Sequence, residues 1–137
     1  MVIDTSALIA VLFDEPDALL FEAAVASDDE PSMSAASLLE ASIVVERRYP
    51  SLRSDSLDLL VLRWGIKIAP VSVEQAEIAR QAFRRYGRGN HKAGLNFGDC
   101  FSYALAKVSG EPLLHKGDDF SLTDLAIVSL PPSPQNT

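Results

Sequence analysis

Isolated acidic residues stand beside apolar segments at four places in the chain, and they are the side chains best suited to chemistry. Asp4 interrupts the apolar stretch VIDTSAL, Glu40 lies inside SAASLLEASIVVE, and Asp99 opens GDCFSYALAK. The fourth place is HKGDDF, which contains Asp118 and Asp119. Because an ionised carboxylate is costly to bury without a compensating partner, each acid needs either a structural role or a bound cation.

The first two acids also have structural explanations. Asp4 suits the N-cap of a helix that begins near Ser6, although Thr5 or Ser6 can fill that position as well. Ser37 and Glu40 fit the spacing of a capping box. The alternative is that this helix begins earlier, near residue 35, which places Glu40 among apolar residues in a position that favours a cavity. Both interpretations remain open for Glu40.

The last two places are similar. Asp99 in a first helical turn is favourable to the helix dipole by about 0.3 to 1 kcal/mol, which is an adequate structural reason for it. Asn96 and Gly98 beside it indicate a shaped loop that the dipole does not explain. Asp118 and Asp119 suit an ordinary turn. Individually, these acids do not establish a site.

Converging carboxylates would require a cation. Two unit charges about 4 Å apart repel by roughly 4 kcal/mol at an effective dielectric constant of 20. Carboxylate oxygens in a chain with 2 histidines favour Mg²⁺ or Mn²⁺ over zinc. The sequence has no Cys/His array, phosphate-binding glycine loop or nucleophile elbow. Carboxylate-held Mg²⁺ most often serves phosphate chemistry, which is therefore the reaction class that the acids favour.

Short apolar runs that alternate with helical periods predict the elements that must position these acids. The predicted strands are residues 2–4, 32–34, 67–69, 112–115 and 126–128. The predicted helices are residues 6–13, 16–26, 35–48, 51–63, 73–86 and 98–108. This order predicts an α/β fold with a mainly parallel sheet of about five strands and helices on both faces. Ligands of such sheets bind at the carboxyl ends of the strands, where we expect the acids to meet.

Composition sets the class of protein. A chain of 137 residues, 47% of them hydrophobic, predicts a single domain over residues 1–130, followed by a disordered Pro-rich tail over residues 131–137. The sequence has neither a signal-type segment nor an apolar window near the roughly 20 residues of a membrane span, so we expect a cytoplasmic protein without membrane association. We interpret the lone cysteine, Cys100, as a small core residue.

The basic residues are unevenly placed. A net charge of −7 argues against nucleic-acid binding over the whole surface. Five of the 12 lysines and arginines nevertheless fall in one short segment, which also contains His91; they are Arg80, Arg84, Arg85, Arg88 and Lys92. This segment is either a solvated helix face followed by a loop or a surface that contacts phosphates.

Four segments, in this order and at these separations, resemble the PIN-domain ribonucleases, and among them the VapC type, the toxins of type II toxin–antitoxin pairs. They are VIDTSALIA, SAASLLEASIVVE, LNFGDCFSYALAK and LLHKGDDFSLTDL. The resemblance extends from Val2 to about Leu130. It implies a PIN-like three-layer α/β/α sandwich whose acidic pocket binds Mg²⁺, or Mn²⁺ in its place, and hydrolyses phosphodiester bonds in RNA.

The resemblance also implies roles for individual residues. Asp4 and Asp99 would hold the metal directly, and Glu40 and Asp119 would act through water or a second ion, with Asp118 in reserve as the fourth acid. Supporting roles fall on Thr5, Ser6 and Asn96. The candidates for contact with RNA are Arg80, Arg84, Arg85, Arg88, Lys92 and Lys116.

The partners that the resemblance implies are a VapB-like antitoxin, an RNA substrate and a second copy of the chain. An apolar groove for the antitoxin is expected from the helices near residues 7–13 and 19–26 together with the LLEASIVVE helix. One alternative is a Mg²⁺-dependent phosphoryl-transfer domain of the receiver type, in which Lys116 would contact the phosphoryl group; that fold requires an acid pair after the first strand, where this chain has only Asp4. The other is a degenerate PIN module that binds RNA or protein without cleaving it.

Overall fold

The computed structural model describes residues 1–133, apart from the side chains of residues 52–54. The strands are β1 (Val2–Ile3), β2 (Ser32–Ser34), β3 (Lys67–Ala69) and β4 (Leu113–Leu114). The helices are α1 (Thr5–Leu12), α2 (Ala18–Ala26), α3 (Ala35–Arg48), α4 (Arg53–Trp64), α5 (Val73–Tyr86) and α6 (Phe97–Ser109). Short 3-10 helices span Pro50–Leu52 and Asp119–Leu122.

The strands form a parallel sheet in the order β3-β2-β1-β4. Val2 is in register with Ser32 of β2 on one side and with Leu113 of β4 on the other. The first strand is therefore central, and the residue that follows it, Asp4, lies at the middle of the carboxyl edge. The prediction of a parallel α/β sheet is confirmed.

The predicted fifth strand, residues 126–128, is wrong as a strand. Ile127 forms a single parallel bridge with Leu113, held by hydrogen bonds of 2.9 Å from Leu113 N to Ala126 O and from Val128 N to Leu113 O. Its partner β4 is only two residues long. The residues on either side of Leu113 face β1 instead, since Pro112 O accepts from Val2 N and Leu114 O accepts from Asp4 N, so Leu113 is the residue of β4 that bonds to this segment and the ladder stops after one bridge.

The sheet separates two apolar cores. Ile3 and Leu114 are fully buried in the core that the first four helices cover. Their neighbours Val2 and Leu113 are fully buried in the second core, beneath α5 and α6. Because successive side chains of a strand point to opposite faces, two apolar residues in a row are what a sheet covered on both sides requires. The three-layer α/β/α architecture is thus confirmed.

The remaining expectations concern single residues and the end of the chain. Cys100 is buried in the core beneath α5 and α6, as expected. Residues 131–133 belong to no helix or strand, and the rest of the predicted tail, residues 134–137, lies outside the described residues. Within the part of the chain that the structure describes, no helix is both long and apolar enough to cross a membrane.

Candidate active site

Asp4 follows β1 directly and is the N-cap of α1. Its Oδ2 atom accepts hydrogen bonds from the backbone N of Ser6 at 3.0 Å and from Ser6 Oγ at 2.6 Å. The side chain is buried, with the residue 3% exposed. Asp4 therefore has the capping role that its position suggested. Its other oxygen, Oδ1, makes a separate contact.

That second oxygen contacts a hydroxyl group that the sequence reasoning missed. Asp4 Oδ1 accepts a hydrogen bond of 2.5 Å from Ser102 Oγ on α6, and Ser102 Oγ lies 3.1 Å from Ser37 Oγ on α3. Thr5 Oγ1 donates to the backbone oxygen of Ser37 at 3.0 Å. The available signal was a serine on the apolar face of CFSYALA, three residues after Asp99 and thus on the same side of the helix.

Asp99 lies in the first turn of α6, inside a capping box. Asn96 Oδ1 accepts from Asp99 N at 2.9 Å, and Asp99 Oδ2 accepts from Asn96 N at 3.0 Å. Burial, together with the charges of Asp4, Asp119 and Glu40, raises the pKa of the Asp99 carboxyl to about 7 against the lowering effect of the Asn96 N–H. The other three predicted acids are therefore near enough to Asp99 for their charges to act on it.

Helix α3 begins early enough to turn Glu40 toward this cluster. Its N-cap is Ser34, whose Oγ accepts from Ala36 N at 3.3 Å, so Ser37 and Glu40 do not form the capping box that was one of the two interpretations. Glu40 instead lies one turn into the helix and is half-buried. The alternative interpretation, in which the helix begins near residue 35, is the one that fits.

Glu40 packs against the backbone of α6 at Gly98. A Cβ atom placed on Gly98 would lie 1.8 Å from Glu40 Oε2, closer than any real contact. Burial, and to a smaller extent the charge of Asp4, raise the pKa of Glu40. The absence of a side chain at Gly98, beside Asp99, therefore leaves the space that the Glu40 carboxylate occupies.

The acids after β4 are placed less tightly. Asp119 begins the 3-10 helix Asp119–Leu122 and is exposed, as is Asp118. The charge of Asp119 acts on Asp99, and both acids act on His115, a buried residue whose pKa is lowered because burial outweighs their effect. Among the described residues, His115 Nδ1 is the buried side-chain atom without a hydrogen-bond partner. The choice of Asp119 over Asp118 as the fourth acid stays a prediction.

The donor chemistry of the cluster fits a hard divalent cation. Carboxylate oxygens are the ligands that Mg²⁺ and Mn²⁺ favour. The pKa of Asp99 is raised by burial and then by the neighbouring acids, and a bound cation would favour its charged form against both. Within residues 1–133, no three acidic, histidine or cysteine side chains are grouped closely enough to hold one ion together.

Lys116 lies beside the site but is turned away from it. Its backbone N donates to Ser6 Oγ at 2.9 Å, which links β4 to the cap of α1. Its Nζ pairs with Glu15 and, at 3.0 Å, with Asp17 in the loop between α1 and α2. These acids hold the pKa of Lys116 above its ordinary value, although burial acts in the opposite direction.

The basic segment is divided between two faces of α5. Arg80 and Arg84 line an open groove of about 620 Å³ whose other walls include Phe97 and Cys100, the residues on either side of Gly98 and Asp99. Arg80 also pairs with Glu77 at 2.9 Å.

The other arginine of α5 faces away from that groove. Arg85 lies 3.7 Å from Asp124 and stacks over the ring of Tyr86. Arg88 and Lys92 are exposed in the loop that follows α5. The structure therefore brings only part of the basic segment toward the acids.

A second apolar groove lies on the opposite side of the molecule. It has a volume of about 630 Å³ and is lined by residues of α1, α2 and α4, among them Leu12, Leu59 and Leu62. The sequence led us to expect α3 as the third wall. The third wall of this groove is α4 instead, while Ala41 and Val45 of α3 lie in the core.

Known proteins are similar to this chain over most of its length. The family model described as PIN domain matches residues 1–125. The chain is 59% identical over 128 residues to Ribonuclease VapC of Mycolicibacterium smegmatis, covering 93% of this chain and 99% of that protein. It is 56% identical over 131 residues to Ribonuclease VapC30 of Mycobacterium tuberculosis, covering 96% of this chain and 100% of that protein.

Solved structures show the same fold at low sequence identity. VapC20 of Mycobacterium tuberculosis, described as a sarcin-ricin loop cleaving toxin, superposes with a TM-score of 0.75 at 18% identity and covers 95% of this chain and 98% of its own. A chain of VapBC2 from Rickettsia felis, bound to a DNA fragment from its promoter, superposes with a TM-score of 0.73 at 14% identity, covering 93% and 96%. These two comparisons establish the fold alone.

Proposed function

The chain belongs to the PIN-domain family and, within it, to the VapC ribonucleases, and from this premise we propose that it is a divalent-metal-dependent endoribonuclease acting as the toxin of a toxin–antitoxin pair. The observation that carries the proposal is the placement of Asp4, Glu40, Asp99 and Asp119 at the carboxyl edge of the sheet, where their charges act on one another.

Asp4 and Asp99 would hold the principal ion, Mg²⁺ or Mn²⁺. Each already has one oxygen fixed by the backbone, from Ser6 N for Asp4 and from Asn96 N for Asp99. Glu40 and Asp119 would complete the shell through water or a second ion. A bound divalent cation supplies charge neutralisation on the phosphate and a lower pKa for water.

Glu40 is the residue best suited to accept the proton of the attacking water. Its pKa is raised, chiefly by burial, which moves the carboxylate toward the range in which a general base works efficiently. Its position against Gly98 keeps it beside Asp99. In the hydrolysis, the water oxygen would bond to phosphorus while the bond from phosphorus to the leaving ribose oxygen breaks; the proton of the attacking water would pass to Glu40, and the leaving oxygen would take a proton from solvent.

The experiment that tests this proposal is cleavage of a labelled single-stranded RNA by the purified chain with Mg²⁺ or Mn²⁺. We expect Asp4→Asn and Asp99→Asn each to eliminate cleavage, while Asp58→Asn, which changes an exposed acid on α4, leaves it intact. Cleavage that persists in either site variant, or that continues in EDTA, contradicts the assignment.

The two alternatives give different results in the same experiment. A degenerate module would bind RNA but would not cleave it with either Mg²⁺ or Mn²⁺ present. The receiver alternative is not favoured by the family to which the chain belongs. A receiver-type domain would take up a phosphoryl group on Asp4 from a small phosphodonor, which a nuclease does not.

The proposed protein partner is a VapB-like antitoxin. The groove between α1, α2 and α4 supports this partner, since Leu59 and Leu62 expose 65% and 77% of their surface there and an amphipathic segment can bury them. For RNA, we propose that Arg80 and Arg84 contact phosphates along the groove that adjoins Asp99. The other candidates remain Arg85, Arg88, Lys92 and Lys116.

We further propose that the chain forms a homodimer in the cytoplasm. Exposed apolar side chains on the elements that carry the acids support an interface between copies. They are Leu39 and Ile43 on α3 and Phe97 on α6, exposed by 62%, 45% and 80%. The molar mass from sedimentation equilibrium checks the proposal, and a monomer at micromolar concentration contradicts it.

A further inference from the structure

The Asp4 carboxylate has nearly all of its hydrogen-bonding capacity filled. Two oxygens offer about four lone-pair sites. Oδ2 uses two of them for Ser6 N at 3.0 Å and Ser6 Oγ at 2.6 Å. Oδ1 uses one for Ser102 Oγ at 2.5 Å. One site therefore remains open, and it belongs to Oδ1.

Ser37 determines the direction in which the Ser102 hydroxyl points. A serine hydroxyl has one proton, and Ser102 donates it to Asp4. The contact of 3.1 Å between Ser37 Oγ and Ser102 Oγ then requires Ser37 to be the donor. Both serines are almost completely buried, at 1% and 0% exposure, so water does not compete for these bonds. A chain of hydroxyls thus runs from Ser37 through Ser102 to Asp4.

We infer that Ser102 is a positioning residue for Asp4, with Ser37 orienting its hydroxyl, so that the carboxylate offers a single lone pair on Oδ1 to the cation. The inference rests on the proposed function. Helix α6 would then serve the site twice, because it supplies Asp99 and, one turn further along, holds Asp4. Partners that orient metal ligands in this way typically contribute 10-fold to 100-fold to metal affinity.

The opposing explanation is that Ser102 only fills space between α6 and β1. Its neighbours Cys100 and Ala104 are small buried residues, and an alanine would pack there equally well. The two explanations differ in what the loss of one oxygen atom does to Asp4. In the positioning explanation, Ser102→Ala leaves Oδ1 buried with no donor and the carboxylate less constrained in rotation.

The test is Mn²⁺ affinity of the full chain, measured by isothermal titration calorimetry in the absence of RNA. We expect Ser102→Ala to weaken Mn²⁺ binding by about tenfold. The matched control is Ser109→Ala, on the same helix, whose hydroxyl donates to the backbone oxygen of Leu105 at 2.8 Å; its affinity should equal that of the unmodified chain. Equal affinities for Ser102→Ala and Ser109→Ala overturn the inference.

A double-mutant cycle with Ser37→Ala separates orientation from packing. Because Ser37 acts through Ser102, we expect a smaller loss from Ser37→Ala alone, and no further loss when it is added to Ser102→Ala. Additive losses overturn the role given to Ser37. If Ser102→Ala does not fold, as judged by circular dichroism, Ser37→Ala alone decides the question, and an unchanged Mn²⁺ affinity in it overturns the inference.

Asp4→Asn keeps this inference separate from the proposed function. Mn²⁺ binding that survives Asp4→Asn contradicts the metal site itself. Binding that is lost in Asp4→Asn but unchanged in Ser102→Ala contradicts only the positioning role. With RNA present, a positioning role predicts that Ser102→Ala lowers kcat at a fixed subsaturating Mn²⁺ concentration while KM for RNA is retained.

Discussion

Asp4 and Asp99 each bond to a backbone N–H through one oxygen of the carboxylate and hold the other oxygen away from the backbone. Asp4 caps α1 and Asp99 completes the capping box at the start of α6. In both, the bond to the backbone N is made by Oδ2, which leaves Oδ1 directed elsewhere. The cap and the ligand are therefore not competing explanations for these acids, because the fixed oxygen orients the other one.

The space at Gly98 can be filled by substitution. Gly98→Ala would place a methyl group where the Glu40 carboxylate lies. Because the side chain of Glu40 is flexible, we expect it to rotate away, so that the chain folds with nearly unchanged thermal stability but cleaves RNA at least tenfold more slowly. The measurements are the unfolding temperature and kcat. A large loss of stability with normal activity in the folded fraction would show that Gly98 serves the backbone instead.

The charge of Asp99 predicts a dependence of stability on pH. Its carboxyl titrates at about 7 in the folded chain, against an ordinary pKa of 3.8, so the folded state binds more protons between these values. The contribution of Asp99 to the free energy of unfolding therefore falls as the pH rises through that interval. In EDTA, Asp99→Asn should unfold at a higher temperature than the unmodified chain at pH 8, and the difference should be smaller at pH 5.

Saturating Mn²⁺ supplies the control for this prediction. The cation stabilises only the chain that binds it, so it should raise the unfolding temperature of the unmodified chain and leave that of Asp99→Asn unchanged. An Asp99→Asn variant that is less stable than the unmodified chain at pH 8 in EDTA would mean that the hydrogen bond to Asn96 outweighs the cost of the buried charge.

At the scale of elements, α5 offers RNA two unequal faces. Arg84 lines the groove that adjoins Asp99, whereas Arg85 lies near Asp124 on the other side. In an Asp4→Asn background that prevents cleavage, we expect charge reversal at Arg84 and Arg85 together to weaken binding of single-stranded RNA and to lower its salt dependence. Most of the change should come from Arg84→Glu. Fluorescence anisotropy at several salt concentrations measures both quantities, and an unchanged salt slope would leave this segment a solvated face.

The elements that the sequence predicts well are those with a local signal. The helix over Ala35–Arg48 and the strand over Lys67–Ala69 have the predicted bounds, because apolar spacing and flanking breakers are local properties. The predicted fifth strand at Ile127 is wrong because its ladder depends on β4, a distant segment of two residues of which Leu113 alone bonds to it.

Partners within the site follow the same distinction. Asp4, Glu40 and Asp99 stand out as acids among apolar residues. Ser102 and Ser37 do not, since a buried serine in a helix is unremarkable until its partner, 65 residues away, is known. The third wall of the apolar groove, α4, likewise depends on packing that no single segment specifies.

The groove that adjoins Asp99 and the α1–α2–α4 groove lie on different helices, so substitutions can affect RNA cleavage and antitoxin binding separately. Leu62 lies in the α1–α2–α4 groove and Val108 lies at the far end of α6, and both are exposed. We expect Leu62→Glu to weaken binding of the cognate VapB-like antitoxin and to leave RNA cleavage unchanged, whereas Val108→Glu changes neither. Copurification with the antitoxin and inhibition of cleavage measure the two effects. Unchanged inhibition of Leu62→Glu would exclude this groove as the docking surface.

The central position of β1 has a consequence for the order in which the chain is made. Val2 pairs with Leu113, and Asp4 N donates to Leu114 O at 2.9 Å. A nascent chain thus carries Asp4 and Glu40 long before α6 and β4 leave the ribosome, and the edge that holds the acids closes only when those last elements dock. The acidic site therefore cannot form until the segment that carries α6 and β4 has been made.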